Sequence, residues 1–165
     1  MGVFQRLGRR TRSGDAPDAM LATICMLPIG VVRSAVGDPR RADWSGVRAA
    51  VEVEARHREA LAGLDGFSHA LVVTWLHLVS DDERALDTVH PAGDSALPRV
   101  GVLALRTHHR PNPIGVTVVC IEWVEGARVI VRGLDAVDGT PVLDIKPYVP
   151  FYDCLLYTSP SPRDS

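Results

Sequence analysis

Residues 106–148 read RTHHRPNPIGVTVVCIEWVEGARVIVRGLDAVDGTPVLDIKPY, and this stretch decides the fold. Its two apolar runs, IGVTVVCIEW and RVIVRGL, are β-forming, and the Glu125-Gly126 step between them predicts a hairpin. Rigid turns flank the hairpin, with Pro111 and Pro113 before it and Pro141 and Pro147 after it. Each proline sets its own φ and pushes the preceding residue out of the helical basin. Arg106, Arg110, Asn112, Asp135, Asp138, Asp144 and Lys146 are strung between these turns. Polar groups on stiff supports between apolar strands are the pattern of a preorganised site.

Working outward, VGVLALR predicts a strand that delivers Arg106 at its end. Before it, SDDERALDTVHPAGDSALPR is a polar loop, and LDGFSHALVVTWLHLV opens with a turn and becomes a long, mostly apolar, central strand. RHREALAG predicts a short helix stopped by Gly63. VRAAVEVE alternates and predicts a second strand, and TICMLPIGVVR (residues 23–33) predicts the first, with Pro28 at an edge or bend. Downstream, GTPVLDIKPY is a last extended segment. Strands greatly outnumber helices and turn signals recur at short spacing. The fold class is therefore mainly all-β, a small single-domain β-barrel or closed sandwich with a short helix. No strand–GxGxxG–helix unit is present, which argues against a Rossmann dinucleotide site.

The 165 residues fit one domain, and 46% hydrophobic with 23% charged residues is ordinary globular composition. No apolar run is long enough to cross a bilayer as a helix. A formal net charge of −2 provides no global basic field, so a nucleic-acid partner requires a local patch; Arg99, Arg106, Arg110 and Lys146 are its candidates. Lys146 is the only lysine. Cys25, Cys120 and Cys154 form neither a disulfide framework nor a CxxC zinc site, and a reducing cytoplasm is the expected compartment.

The ends stand apart. Residues 1–22 are Arg-, Gly- and Asp-rich without a signal-peptide core, and are expected to be a disordered extension or an early start, with Met20 or Met26 as the alternative beginning. Residues 154–165, CLLYTSPSPRDS, bear no relation to what precedes them and resemble translated sequencing-library adapter. The expected native domain is residues 23–153.

RPNPIG, GLDAVDGTPVLDIKPY, the FSH of Phe67–His69 and the WLH of Trp75–His77 together resemble the tRNA N6-threonylcarbamoyladenosine methyltransferase family, whose TsaA-like β-barrel uses S-adenosylmethionine. The resemblance spans roughly Leu27 to Asp153. It implies a dimeric enzyme that methylates N6 of threonylcarbamoyladenosine beside the anticodon of tRNA, without a metal. It also implies cofactor contacts at Pro39-Arg40-Arg41, His77-Leu78, Arg106, Val116 and Arg132-Gly133-Leu134-Asp135. The family commonly has Pro-Arg-Gln where this chain has Pro39-Arg40-Arg41, and the loop aligns alternatively through Asp43 and Trp44.

Methyl transfer from a sulfonium is a direct displacement, and holding the reactants in line can supply ~7–11 kcal/mol of the barrier. The N6 lone pair is delocalised, so a base or donors to the developing anion would help. Asp144 and Tyr148, with Asp135, are base candidates. Lys146 and Arg110 are donors for that anion or for the threonyl carboxylate, which arginine suits through its two-pronged geometry. Arg110 and Asn112 are the substrate-side candidates.

Each residue also has a plainer role. Asp138-Gly139 is a turn signal by itself. Adjacent His108 and His109 on extended chain point to opposite faces, which disfavours a metal pair. His69 and His77, an even number apart on one strand, share a face. Trp75 and Trp123 are core or interface residues, Arg132 is outward surface, and Asn112 caps its own turn. Other readings remain: a same-fold methyltransferase on a small molecule or another RNA, a non-catalytic module binding S-adenosylmethionine or RNA, and a metal hydrolase using Asp135, Asp138, Asp144 and His108.

Overall fold

The computed structural model describes residues 24–38 and 43–154. The expectations for residues 1–22, for the Pro39-Arg40-Arg41 loop and for the tail beyond Cys154 lie outside the described residues.

Alternating β-branched residues build the strands β1 (Gly30–Ser34), β2 (Arg48–Val53), β3 (His69–Trp75), β6 (Ile114–Glu125), β7 (Arg128–Arg132) and β8 (Pro141–Pro147). They close into one barrel in the order β1-β2-β7-β6-β3-β8, every pairing antiparallel. Two further short strands, β4 (Thr88–Val89) and β5 (Val100–Gly101), form a separate ribbon.

Val32, Val51, Val72, Val119, Val129, Val131, Val142 and Ala70 fill the interior with almost no exposure, and Leu134 joins them from the segment after β7. A narrow barrel leaves room inside for small branched side chains and little else. β6 is long enough to serve two neighbours. Its Ile114–Cys120 half pairs with β3, and its later half pairs with β7 across a register shift between Ile121 and Trp123. Such an irregularity bends a strand around a barrel corner. A second shift, between Val73 and Thr74, leaves Leu143 as the extra residue of β8.

Several elements differ from the sequence expectation. The first strand begins at Gly30, because Ile24–Pro28 lie exposed outside the ladder. RHREALAG becomes a 3-10 helix, Ala55–Leu61, and Gly63 adopts φ +83° just after it. β3 stops at Trp75, where the Leu76 N–H turns to the Pro113 carbonyl at 2.7 Å. His77 is therefore past the strand end, and its shared face with His69 does not hold. Of VGVLALR only Val100–Gly101 is a strand. Val102–Ala104 is a 3-10 turn that buries Val102, and Arg106 leaves from a loop.

The polar loop contains a helical turn, α1 (Asp81–Arg84), whose Ser80 and Glu83 form a reciprocal capping box. A last turn, α2 (Pro150–Asp153), follows β8. Trp123 is 45% exposed on the outside of β6, with the Arg48 guanidinium 5.6 Å from its ring centroid, so it is not a core residue. Asp138 does more than turn the chain, since its Oδ1 accepts the Ser34 N–H at 3.0 Å and ties the β8 approach to β1.

Gly30 sits where β1 meets both β2 and β8. A Cβ there would lie 2.2 Å from the Glu52 carbonyl oxygen, whereas one on Gly46 would meet nothing within 4 Å. Ladder backbone cannot step aside cheaply. Gly30→Ala should lower stability by about 2 kcal/mol or more in urea unfolding, and Gly46→Ala should leave the midpoint almost unmoved. Equal midpoints for the two variants would contradict this account of the barrel seam.

Candidate functional site

The turn Asn112-Pro113-Ile114 is closed by the Ile114 N–H donating to the Asn112 carbonyl at 2.7 Å. The bond comes from the backbone of Asn112, not from the side-chain cap expected, and the side chain faces solvent. Pro113 is buried, and its carbonyl holds Leu76. The exposed His77-Leu78 turn, closed by Val79 N–H to Leu76 carbonyl at 3.2 Å, is thereby set beside the start of β6.

Arg106 reaches over this start, where its Nη2 donates to the Val116 carbonyl at 2.6 Å. From the other side, β7 leaves the sheet at Arg132, level with Cys120 and well short of the β6 start. Gly133 turns the chain at φ +89°, a conformation natural to glycine, and donates its N–H to Val47 at 2.9 Å. Leu134 plugs into the core with no exposure, so it offers the site only its backbone. Asp135 then emerges. Desolvation pushes its carboxyl above the usual range, and the Arg106 charge opposes that rise. Arg106 thus holds Val116 directly and acts on Asp135 through its charge, with the His77-Leu78 turn set beside the same β6 start. The Arg132 side chain is instead committed to Glu122, at 3.3 Å. Glu122 is held below the usual carboxylate range mainly by its hydrogen bond from Arg48.

On the outer face of the barrel, Asp144, Val73 and Val116 stand in one row across β8, β3 and β6, and Lys146, Leu71 and Val118 in the next. Two strand spacings of ~4.8 Å put Asp144 about 10 Å from Val116. Lys146 Nζ lies 2.6 Å from Asp144 Oδ2, and this bond raises the lysine pKa. Asp144 Oδ1 accepts the Ile145 N–H at 2.9 Å. Tyr148 is level with His69, whose carbonyl takes its N–H at 2.9 Å and whose ring centroid is 6.4 Å away. At ~3.3 Å per residue, Tyr148 lies about 13 Å along the strand from Asp144. The three β8 candidates therefore form a pair and a distant third.

Arg110 is engaged by its own loop, its Nη1 donating to the carbonyls of Leu105 at 2.6 Å and Val102 at 3.3 Å. Arg99 is bound to Thr88 of β4. The expected basic patch is consequently engaged at home: all three of its arginines donate to backbone carbonyls and its lysine is paired. Arg84, overlooked in the sequence, does connect to the site. It donates to the Pro111 carbonyl at 3.3 Å and lies 5.6 Å from the Trp75 ring centroid. The S-x-x-E pattern of Ser80–Glu83 was the available signal for it. His108 and His109 do not point to opposite faces. Their ring centroids are 3.9 Å apart, and each Nε2 faces Glu83 Oε1, at 3.7 and 3.8 Å.

A family model described as the tRNA-methyltransferase O N-terminal domain matches residues 31–154. A probable S-adenosyl-L-methionine-binding protein of Methanothermobacter thermautotrophicus is 39% identical over 133 residues, covering 78% of this chain and 92% of the relative. The tRNA (adenine(37)-N6)-methyltransferase of Mus musculus is 36% identical over 135 residues, covering 76% of this chain and 31% of that protein. A crystal structure of TrmO superposes with TM-score 0.67 at 34% identity, covering 86% of this chain and 64% of the other. The chain thus spans nearly all of the archaeal relative but less than two thirds of the mouse enzyme and of the solved structure. The closed six-strand barrel, the motifs around NPIG and GLDAVDG, and a domain match over most of the sequence agree: the chain belongs to the tRNA-methyltransferase O N-terminal domain family.

Proposed function

We propose that this chain is an S-adenosylmethionine-dependent methyltransferase acting on N6 of threonylcarbamoyladenosine beside the anticodon of tRNA. The convergence of Arg106, Val116 and Asp135 carries this reading. The residues suit the cofactor's chemistry. A partly desolvated carboxylate at Asp135 complements a cationic sulfonium or ammonium, and the Arg106 guanidinium complements a carboxylate. Exposed Val116 and Leu78 offer apolar surface to a base. His77-Leu78, Arg106, Val116 and Gly133–Asp135 are the groups that would hold it. The cofactor, when bound, supplies a methyl group on sulfur that is open to displacement.

The chain's own residues position and deprotonate. Asp144 is the proposed acceptor of the N6 proton, and general bases contribute about 10²–10⁴-fold. Lys146, paired with the same carboxylate at 2.6 Å, presents a cation to the anion that develops or to the threonyl carboxylate. A single-stranded anticodon loop can offer a splayed base without duplex opening. The remote Tyr148 is assigned no step.

The working unit is proposed to be a homodimer in the cytoplasm. Leu71, Val73 and Val118 form an apolar outer face beside the site, with Val118 48% exposed, which a second copy would cover. Among the described residues no helix is long and apolar enough to cross a membrane.

Labelled S-adenosylmethionine should transfer its methyl group to total tRNA only when the tRNA carries the threonylcarbamoyl group. Label entering unmodified tRNA equally would refute the substrate, and cofactor binding without transfer would favour a binding module. Asp144→Asn should lower kcat at least about 100-fold with little change in cofactor Kd; a large loss of affinity instead would remove Asp144 as the base.

Asp135 adds a pH signature. Its folded pKa lies above the unfolded value of about 3.9, so the folded chain holds this proton more tightly. Its contribution to stability therefore falls as pH rises from that value through the raised one. The difference in melting temperature between wild type and Asp135→Asn should change across this acid window, and the variant should bind S-adenosylmethionine about tenfold more weakly. Melting curves that stay parallel across the window would exclude this assignment.

A further inference from the structure

We propose that Glu83, His108 and His109 form a binding site for a divalent transition metal of the zinc type, outside the proposed methyl-transfer site. Their ligand atoms all lie within 4.8 Å of one another. The carboxylate is aimed: Glu83 Oε2 accepts from the Ser80 N–H at 2.9 Å and the Ser80 hydroxyl at 2.8 Å, leaving Oε1 to face both imidazoles. His109 is aimed as well. Its Nδ1 is 3.1 Å from Thr107 Oγ1, which also accepts the His109 backbone N–H at 3.3 Å. A hydroxyl partner on Nδ1 leaves Nε2 as the coordinating nitrogen, the way outer partners orient metal-bound histidines.

The distances point to an ion between the groups. At 3.7 and 3.8 Å the Nε2–Oε1 separations are too long for hydrogen bonds. Zinc bonds of ~2.0–2.1 Å at tetrahedral angles separate neighbouring ligand atoms by about 3.3 Å. On the two carboxylate–imidazole edges, closing the site therefore takes movements of a few tenths of an ångström. Two imidazoles and one carboxylate favour zinc, nickel, cobalt or copper over magnesium and calcium, and three protein ligands leave a position for water. Asp81 and Arg84, on the same helical turn, bind each other at 3.0 Å and do not compete for the site.

The consequence would be mechanical. A bound ion would fasten α1 to the loop between Arg106 and Pro111, which otherwise depends on Arg84 and Arg110. The inference is independent of the methyltransferase assignment, and its test needs no activity.

Zinc(II) should be titrated calorimetrically into the full chain after chelator treatment, with cobalt(II) absorption as a second probe. One equivalent should bind, with a tetrahedral-type cobalt spectrum and a raised melting temperature. His108→Ala and Glu83→Gln, the latter retaining a capping side chain, should each weaken binding at least tenfold. His90→Ala, at a histidine bound to the Leu97 carbonyl at 2.7 Å, should leave it unchanged. Circular dichroism would verify that the variants fold. Absence of zinc and cobalt binding, or binding that survives both His108→Ala and Glu83→Gln, would overturn the site.

Discussion

Val142 is the residue at which the barrel closes. It lies opposite Gly30 on one side and Thr74 on the other, and its carbonyl accepts the Ile29 N–H at 2.8 Å. β8 therefore has no free edge, and its side chains are committed to faces. Val142 points inward with no exposure, while Asp144 and Lys146 are fixed outward, level with Val73 and Leu71. A shift of one residue would reverse these faces and drive a carboxylate and an ammonium into a valine core. The extra residue at Leu143 is a consequence of joining β8 to two strands at once, and the close approach at Gly30 is to the Glu52 carbonyl of β2.

The outer face that results has an apolar centre and charged margins. Leu71, Val73, Val116 and Val118 lie between Asp144–Lys146 on one flank and Arg106–Asp135 on the other. The two flanks differ in their electrostatics. Lys146 and Asp144 meet directly in an exposed pair, whose strength water limits. Among the described residues Asp135 makes no such direct ion pair, and desolvation raises its pKa against the more distant Arg106. A carboxylate in that condition gains from any cation placed beside it, which is why the second flank suits a positively charged ligand.

Burial of the surrounding arginines follows another logic. Arg110 and Arg84 donate to loop carbonyls, among them those of Leu105 and Pro111, and so shape the approach to the NPIG turn. Much of the basic character visible in residues 84–110 thus serves the backbone.

Most of the barrel was legible in the sequence. Apolar pattern and turn signals located β2, β6, β7 and β8 closely, although Ala50 and Ile130 are buried on the outer side of β2 and β7 as well. Arg106, Val116 and Asp135, proposed as cofactor contacts, were singled out through motifs, each near a turn that proline or glycine makes rigid. Three features were not. VGVLALR is apolar without being a strand past Gly101, because Val102 is buried by a 3-10 turn and finds no ladder partner. The two histidines share a side because their loop is not extended, so strand parity does not apply. Asp144 and Tyr148 are close in sequence yet belong to different ends of the face. Local pattern thus determined which residues pair and which turn, since these depend on neighbours along the chain. Only the tertiary fold decided which distant residues come near one another: Arg106 with the Val116 carbonyl, and Glu83 with His108 and His109. Those meetings depend on loop paths and strand registers that the packing of the whole core selects.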